Sequence, residues 1–184
     1  MIKDDTLFRV AETRDTEAIT RVINEAFAVE RFFIDGDRIN AERVRNVFDR
    51  GRFLLAEDDQ GLAGCVYVEV RGERGYLGLL SVEPTRQRTG LGRKLTIAAE
   101  DYLRVAGCRA VDLAVVNLRT ELLPFYRRLG YTETGTAPFP AEAHPKVPCH
   151  FITMAKTLED KREAPDEPTD CADCADQKGS KIES

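Results

Sequence analysis

The stretch Leu80-Ser81-Val82-Glu83-Pro84-Thr85-Arg86-Gln87-Arg88-Thr89-Gly90-Leu91-Gly92-Arg93-Lys94-Leu95 runs from an apolar segment, through a proline turn and two closely spaced glycines, into an amphipathic one. Upstream, residues 76–82 read as a largely apolar strand. Downstream, Leu91, Leu95, Ala98, Ala99, Tyr102 and Ala106 recur at helical spacing and predict a helix over residues 91–106, with Gly107 as its C-cap. A strand, a tight loop and a helix leave backbone N–H groups unpaired at the helix N-terminus, with the positive end of the helix dipole behind them. An anion can sit there directly. Gly90 and Gly92 allow close approach and unusual φ. Arg86, Arg88 and Arg93 add charge at the mouth, and Thr89 adds a hydroxyl. Taken alone, Gln87 to Gly92 fits equally a pyrophosphate seat and a turn that needs glycine for its geometry. The dinucleotide fingerprint and the Walker loop both fail: the third glycine of the first and the Gly-Lys-Ser/Thr end of the second are missing.

Working outward, residues 7–11 predict a first strand. Ile19, Val22, Ile23, Ala26 and Phe27 predict a helix capped by Asp15 or Thr16. A second helix is expected over residues 41–49, and residues 30–36 between the two read as a loop over an opening. Strands at 53–57 and 62–70, joined by Asp59-Gln60-Gly61, predict a hairpin that a turn at 71–75 links to the strand at 76–82. Beyond the long helix come a buried strand at 111–116 and a short helix at 122–129 ended by Gly130. Strands at 131–136 and 150–158 flank a proline-containing loop. Antiparallel hairpins followed by strand–helix–strand–helix–strand define an α/β (α+β) domain with one central sheet.

Composition bounds the function. The chain has 184 residues, 42% hydrophobic and 32% charged, the balance of a globular domain. No apolar run approaches the roughly 18 residues that span a bilayer, and residues 1–11 do not resemble a signal peptide. A cytoplasmic protein without membrane partners is the expectation. A net charge of −5 argues against non-specific nucleic-acid binding. Cys65, Cys108 and Cys149 sit in apolar surroundings and read as core residues. From Glu159 onward Lys, Glu, Asp, Pro and Ser dominate, so residues 159–184 are expected to be a disordered tail beside a domain at 6–158. Cys171 and Cys174 in that tail supply two of the four ligands a zinc site needs, so no metal is predicted.

In context, the run from Leu80 to Leu95 resembles the acetyl-CoA-binding segment of the GNAT superfamily of N-acetyltransferases, with Val82, Pro84, Gln87, Gly90 and Gly92 on the family's pattern. Phe125-Tyr126-Arg127-Arg128-Leu129-Gly130-Tyr131 resembles a second family segment, and Asn117 stands at the end of the strand before it. The resemblance implies a mixed, mostly antiparallel sheet splayed in the middle and flanked by about four helices. It implies acetyl-CoA as co-substrate, its pantetheine arm bonded by backbone at Leu80, Ser81 and Val82. Its pyrophosphate would rest on N–H groups across Arg88, Thr89, Gly90, Leu91, Gly92 and Arg93, with Gln87 in the loop. Asn117 would touch the pantetheine, and Tyr126 would protonate the leaving thiolate. The chain departs from the family between Asn117 and Tyr126, where the loop is longer and Pro124 must sit in the helix's first turn.

The amine end is less defined. The strand at 76–82 carries no Asp or Glu, so Glu69 on the preceding strand and His150 on the last are the candidate bases, although each reads more readily as an ordinary surface or packed residue. Phe32, Phe33 and Phe139 are candidate walls for the acceptor, or core packing. The expected activity is direct acetyl transfer from acetyl-CoA to a small-molecule or peptide amine in a ternary complex. A non-catalytic acyl-CoA-binding module is the alternative, motivated by the missing acid. A homodimer is left open.

Overall fold

The computed structural model describes residues 6–158. The strands are β1 (Leu7–Val10), β2 (Arg52–Asp58), β3 (Gly61–Arg71), β4 (Arg74–Val82), β5 (Ala110–Val116), β6 (Thr132–Pro138) and β7 (His150–Thr157). The helices are α1 (Thr16–Ala26), α2 (Ala41–Phe48), α3 (Leu91–Val105) and α4 (Leu122–Arg128). The strands form one sheet in the order β1-β2-β3-β4-β5-β7-β6. Every pairing is antiparallel except β4 with β5.

That exception shapes the molecule. β4 and β5 pair only at Arg74 with Ala110, Gly75 with Val111 and Tyr76 with Asp112. The Arg74 guanidinium grips the Asp112 carboxylate through two nitrogens across this join. Beyond it β4 stays paired with β3 as far as Val82, and β5 with β7 as far as Val116. The two strands therefore part, and a gap opens between two strand edges that do not pair with each other.

Helices cover the two faces of the sheet separately. α1 buries Ile19, Val22 and Ile23, the i, i+3, i+4 stripe of an amphipathic helix. With Val44 of α2 they pack on Phe53, Leu55, Cys65 and Tyr67, and Tyr76 and Leu79 lie at the border of this cluster. α3 buries Leu91, Leu95, Ala99 and Leu103 at i, i+4, i+8 and i+12 on the other face. They join Val66, Val68, Leu77, Leu113, Tyr126 and Tyr131 there, with Leu80 and Val82 at the border. Each fully buried leucine of this kind stabilises by about 1.5–3 kcal/mol.

The expected helices and strands are present, with ends moved by a residue or two. Three local readings change. Residues 30–36 are not simply loop, because a 3-10 helix spans Phe27–Phe32. Asp15 is the N-cap residue of α1 but makes no capping bond, its carboxylate being taken by Arg9 and by the Glu12 N–H. Cys149 is only partly buried, unlike Cys65 and Cys108. The expected disordered tail and its Cys171/Cys174 pair lie outside the described residues.

Arg9 links β1, β2 and the entry to α1. It donates to Asp15 at 2.7 and 2.8 Å and to Glu57 at 2.6 and 2.9 Å. The hydrogen bonds from Arg9 hold the Asp15 carboxyl below the usual range. A depressed carboxyl contributes stability that is complete above its unfolded value of about 3.9 and is lost as pH falls through the lower folded value. The melting temperature of the parent should therefore fall more steeply below about pH 4 than that of Arg9→Met, measured by scanning calorimetry. Parallel curves would contradict this role of Arg9.

Candidate active site

The gap between β4 and β5 opens into a cleft of about 1050 Å³ that passes through the sheet. Its walls are the separated strand edges: Leu77, Gly78, Leu79, Leu80 and Val82 on one side, and Leu113, Ala114, Val115 and Val116 on the other. Unpaired strand edges inside a sheet offer rows of N–H and C=O groups to an extended ligand.

A bulge interrupts the β4 wall. Cys65 pairs with Ser81 and Tyr67 with Gly78, so Leu79 and Leu80 together face Val66. Leu79 takes φ of 50°, a left-handed conformation costing a non-glycine residue about 1–3 kcal/mol. The kink sends Leu79 toward the α1/α2 face and Leu80 toward the α3/α4 face. It also breaks the ladder where the cleft crosses the sheet.

On the α3/α4 face the cleft ends at the glycine loop. A 3-10 turn at Pro84–Arg86 follows β4. Arg88 then takes φ of 64° and Gly90, the N-cap of α3, φ of 88°. Left-handed residues just before a helix N-terminus are a feature of backbone anion-binding nests. Gly92 lies in the first turn of α3, and a Cβ there would meet Phe125 Cζ at 3.7 Å and Val82 Cγ2 at 3.8 Å, both on residues that line the cleft. The loop is braced: the Gln87 amide donates to Val82 O at 3.2 Å and the Thr89 hydroxyl to Arg86 O at 2.8 Å. Arg86 is committed to Asp58, Glu83 and Gln60. Arg88, Arg93 and Arg128 line the cleft at this end and make no ion pair among the described residues.

Tyr126 stands in the same wall. It is buried on α4, edge-on to Phe125 at 5.0 Å and Tyr131 at 5.7 Å between centroids. Burial, reinforced by nearby Tyr76, pushes its phenol well above the ordinary range. The group is therefore a neutral proton donor at every physiological pH.

On the α1/α2 face the lining becomes polar. Glu30, Arg38, Arg50, Tyr67, Glu69, Arg71, Tyr76, Arg119 and Glu121 surround this opening, with Phe27, Val29, Phe139 and Phe151 as apolar wall. Glu30 is 5% exposed and accepts from Arg119 at 3.0 Å. Burial raises its carboxyl above the usual range despite the charges of Arg38 and Arg119. Glu69 goes the other way: two bonds from Arg71 at 3.0 Å and one from the Tyr67 hydroxyl at 3.1 Å keep it low.

The cleft thus brings together Leu80, Val82, Gln87, Arg88, Gly90, Gly92, Arg93, Tyr126, Glu69 and Phe139 of the residues singled out from sequence. Others stand apart. Ser81 is buried with its hydroxyl on Leu79 O, because alternation along the strand turns it from the cleft. Thr89 is turned to Arg86 O, and Leu91 packs in the core. The Asn117 side chain accepts from the His150 N–H at 2.9 Å, and its own N–H donates to His150 O at 2.9 Å, so it ties β5 to β7 instead of facing the gap. The His150 side chain is exposed and not part of the lining. Phe33 is fully buried beside Ile34 and Val116, and Phe32 is 58% exposed; the wall comes from Phe27 and Val29, earlier in the same segment. Sequence reading did not find Glu30, Arg38, Arg119 and Arg128. The Glu30–Arg119 pair joins positions 89 residues apart, and no local pattern announces such a pair.

A family model described as the acetyltransferase (GNAT) family matches residues 16–131. A mycothiol acetyltransferase of Amycolatopsis mediterranei is 32% identical over 134 residues, 67% of this chain and 44% of that protein. One from Saccharopolyspora erythraea is 32% identical over 126 residues, 66% of this chain and 42% of that protein. The chain spans less than half the length of these curated relatives. Among solved structures, the ribosomal-protein-S18-alanine N-acetyltransferase from Escherichia coli superposes with a TM-score of 0.67 at 19% identity, covering 86% of this chain and 98% of that one. The structure of yncA from Salmonella typhimurium with its cofactor acetyl-CoA gives 0.67 at 21%, covering 89% and 99%. The fold is the one these acetyltransferases share. The chain belongs to the GNAT acetyltransferase family.

Proposed function

We propose that this protein transfers an acetyl group from acetyl-CoA to the amino group of a small-molecule or peptide acceptor, both held in one ternary complex. The observation that carries the reading is the single cleft that joins an anion seat, two open strand edges, a bulge and a buried tyrosine. The residues fit coenzyme A. The loop with left-handed Arg88 and Gly90 suits a pyrophosphate, Gly92 leaves room for its approach, and Arg88, Arg93 and Arg128 supply the opposing charge. The edge of β4 suits an amide-bearing arm lying as an extra strand. The names of the curated relatives support acetyl as the group moved.

When bound, acetyl-CoA supplies an activated thioester. The backbone N–H groups at the bulge, near Leu80 to Val82, would donate to the carbonyl oxygen as negative charge develops on it. Tyr126 Oη would give its proton to the departing sulfur, a role for which a neutral buried phenol is suited. Of the carboxylates on the acceptor face, burial raises the proton affinity of Glu30, the direction that favours a base, whereas Arg71 lowers that of Glu69. Glu30 would take the ammonium proton, directly or through water. None of the cysteines is required as a nucleophile.

The test is thiol release from acetyl-CoA across a panel of amines, with mass spectrometry of the acceptor. The expected result is release that depends on the amine, with one acetyl group gained per thiol freed. Tight acetyl-CoA binding with no release on any amine would instead make the protein a non-catalytic acyl-CoA-binding module.

A further inference from the structure

The acceptor face of the cleft carries four arginines, Arg38, Arg50, Arg71 and Arg119, against three glutamates, Glu30, Glu69 and Glu121. The glutamates are all engaged. Arg119 binds Glu30 at 3.0 Å and Glu121 at 2.6 Å, and Arg71 binds Glu69 while lying 4.2 Å over the Tyr76 ring. Arg38 and Arg50 make no ion pair with a described residue. Arg38 lies 5.1 Å over the Phe27 ring, and its Nε is buried with no hydrogen-bond partner. A buried guanidinium N–H left unbonded is unfavourable unless something supplies an acceptor atom.

This is a strange lining for a face that receives an amine. A simple amine or a polyamine approaches as a cation and finds more arginines than glutamates, two of the guanidiniums without a direct carboxylate contact, and no carboxylate free to meet a second ammonium. An acceptor that carries an oxyanion a few bonds from its amine escapes this repulsion and gives the Arg38 guanidinium a counter-charge. Arginine suits the task, since its planar fork matches a carboxylate in two-point contact.

Resting on the proposed acetyl transfer, we infer that the acceptor is an amine bearing a carboxylate or a comparable oxyanion, of the amino-acid type, with Arg38 as its anchor and Arg50 as a second cation at the rim. Polyamines and polycationic amino sugars are excluded from the site by the same charges.

The experiment compares the common amino acids with their methyl esters and decarboxylated amines, and with spermidine. Thiol release from acetyl-CoA and calorimetric binding in the presence of CoA are read separately. For at least one amino acid, the free acid should be preferred over its ester by about tenfold or more in KM or Kd, the effect of losing one charge-assisted bond. Arg38→Met, which keeps the stem over Phe27, should bring that acid-over-ester ratio toward unity. Equal use of acid and ester, better use of spermidine, or binding by none of the acids overturns the inference. So does a ratio that Arg38→Met leaves unchanged. Failure of the proposed acetyl transfer looks different: no thiol release with any amine, while the calorimetric comparison still decides whether acids are preferred.

Discussion

Tyr126→Phe should lower kcat about a hundredfold, the usual scale for one positioned acid, while leaving the affinity for acetyl-CoA nearly unchanged. The substitution removes one oxygen. The ring keeps its edge-on contacts with Phe125 and Tyr131, so the core that Tyr126 helps to fill is preserved. A matching pH profile is expected. In the proposed acid role the neutral phenol is the competent form, and burial raises the pH at which it is lost. Activity in the parent protein should therefore rise with pH as the amine deprotonates, and show no alkaline fall near the ordinary tyrosine value of about 10. Steady-state kinetics on both proteins reads both effects. A Phe variant with full kcat would remove the acid role and leave the binding account standing.

Gly92→Asp should raise the Kd of acetyl-CoA by more than about a hundredfold. Two like charges about 4 Å apart interact by about 4 kcal/mol at a surface-like dielectric, and each 1.4 kcal/mol is tenfold. The fold should tolerate the change, because a Cβ at Gly92 meets Phe125 and Val82 only at ordinary contact distances. An acid in the first turn of α3 complements the helix dipole, so the variant should melt no lower than the parent for electrostatic reasons. Binding and stability would then move in different directions, which a merely misfolded variant would not show. Gly92→Ala serves as the steric control. Calorimetric titration with acetyl-CoA and a thermal melt suffice. Retained affinity in Gly92→Asp would mean that the anion seat lies elsewhere.

Much of this was legible in the sequence, for local reasons. The helical spacing of Leu91, Leu95 and Ala99 and the glycine signals sit within a few residues of one another, and local chemistry decides them. The strands of the β2–β3–β4 meander follow in the same way from apolar runs bounded by turn residues. What the residues alone do not show depends on distant partners. The three-residue contact between β4 and β5 is what makes the sheet splay, and nothing in two apolar strands states where pairing stops. The resemblance implied that splay; periodicity did not. Asn117 looked free to face a ligand because its partner, His150, is 33 residues away. Glu30 looked like part of a loop and is instead a buried carboxylate in the polar part of the cleft lining. The aromatic pair at 32–33 drew attention by composition, yet the register of the 3-10 helix puts Phe27 and Val29 in the wall.

Hydrogen exchange with and without acetyl-CoA tests the central claim most directly, since that claim concerns where one molecule lies. Saturating acetyl-CoA should slow exchange at the β4 edge from residue 77 to 82 and in the loop and first helical turn from 88 to 93, with little change in β1, β2 or β6. Slowed exchange confined to other surfaces, or none under conditions where acetyl-CoA is bound, would contradict the seat assigned to it across the splayed strands.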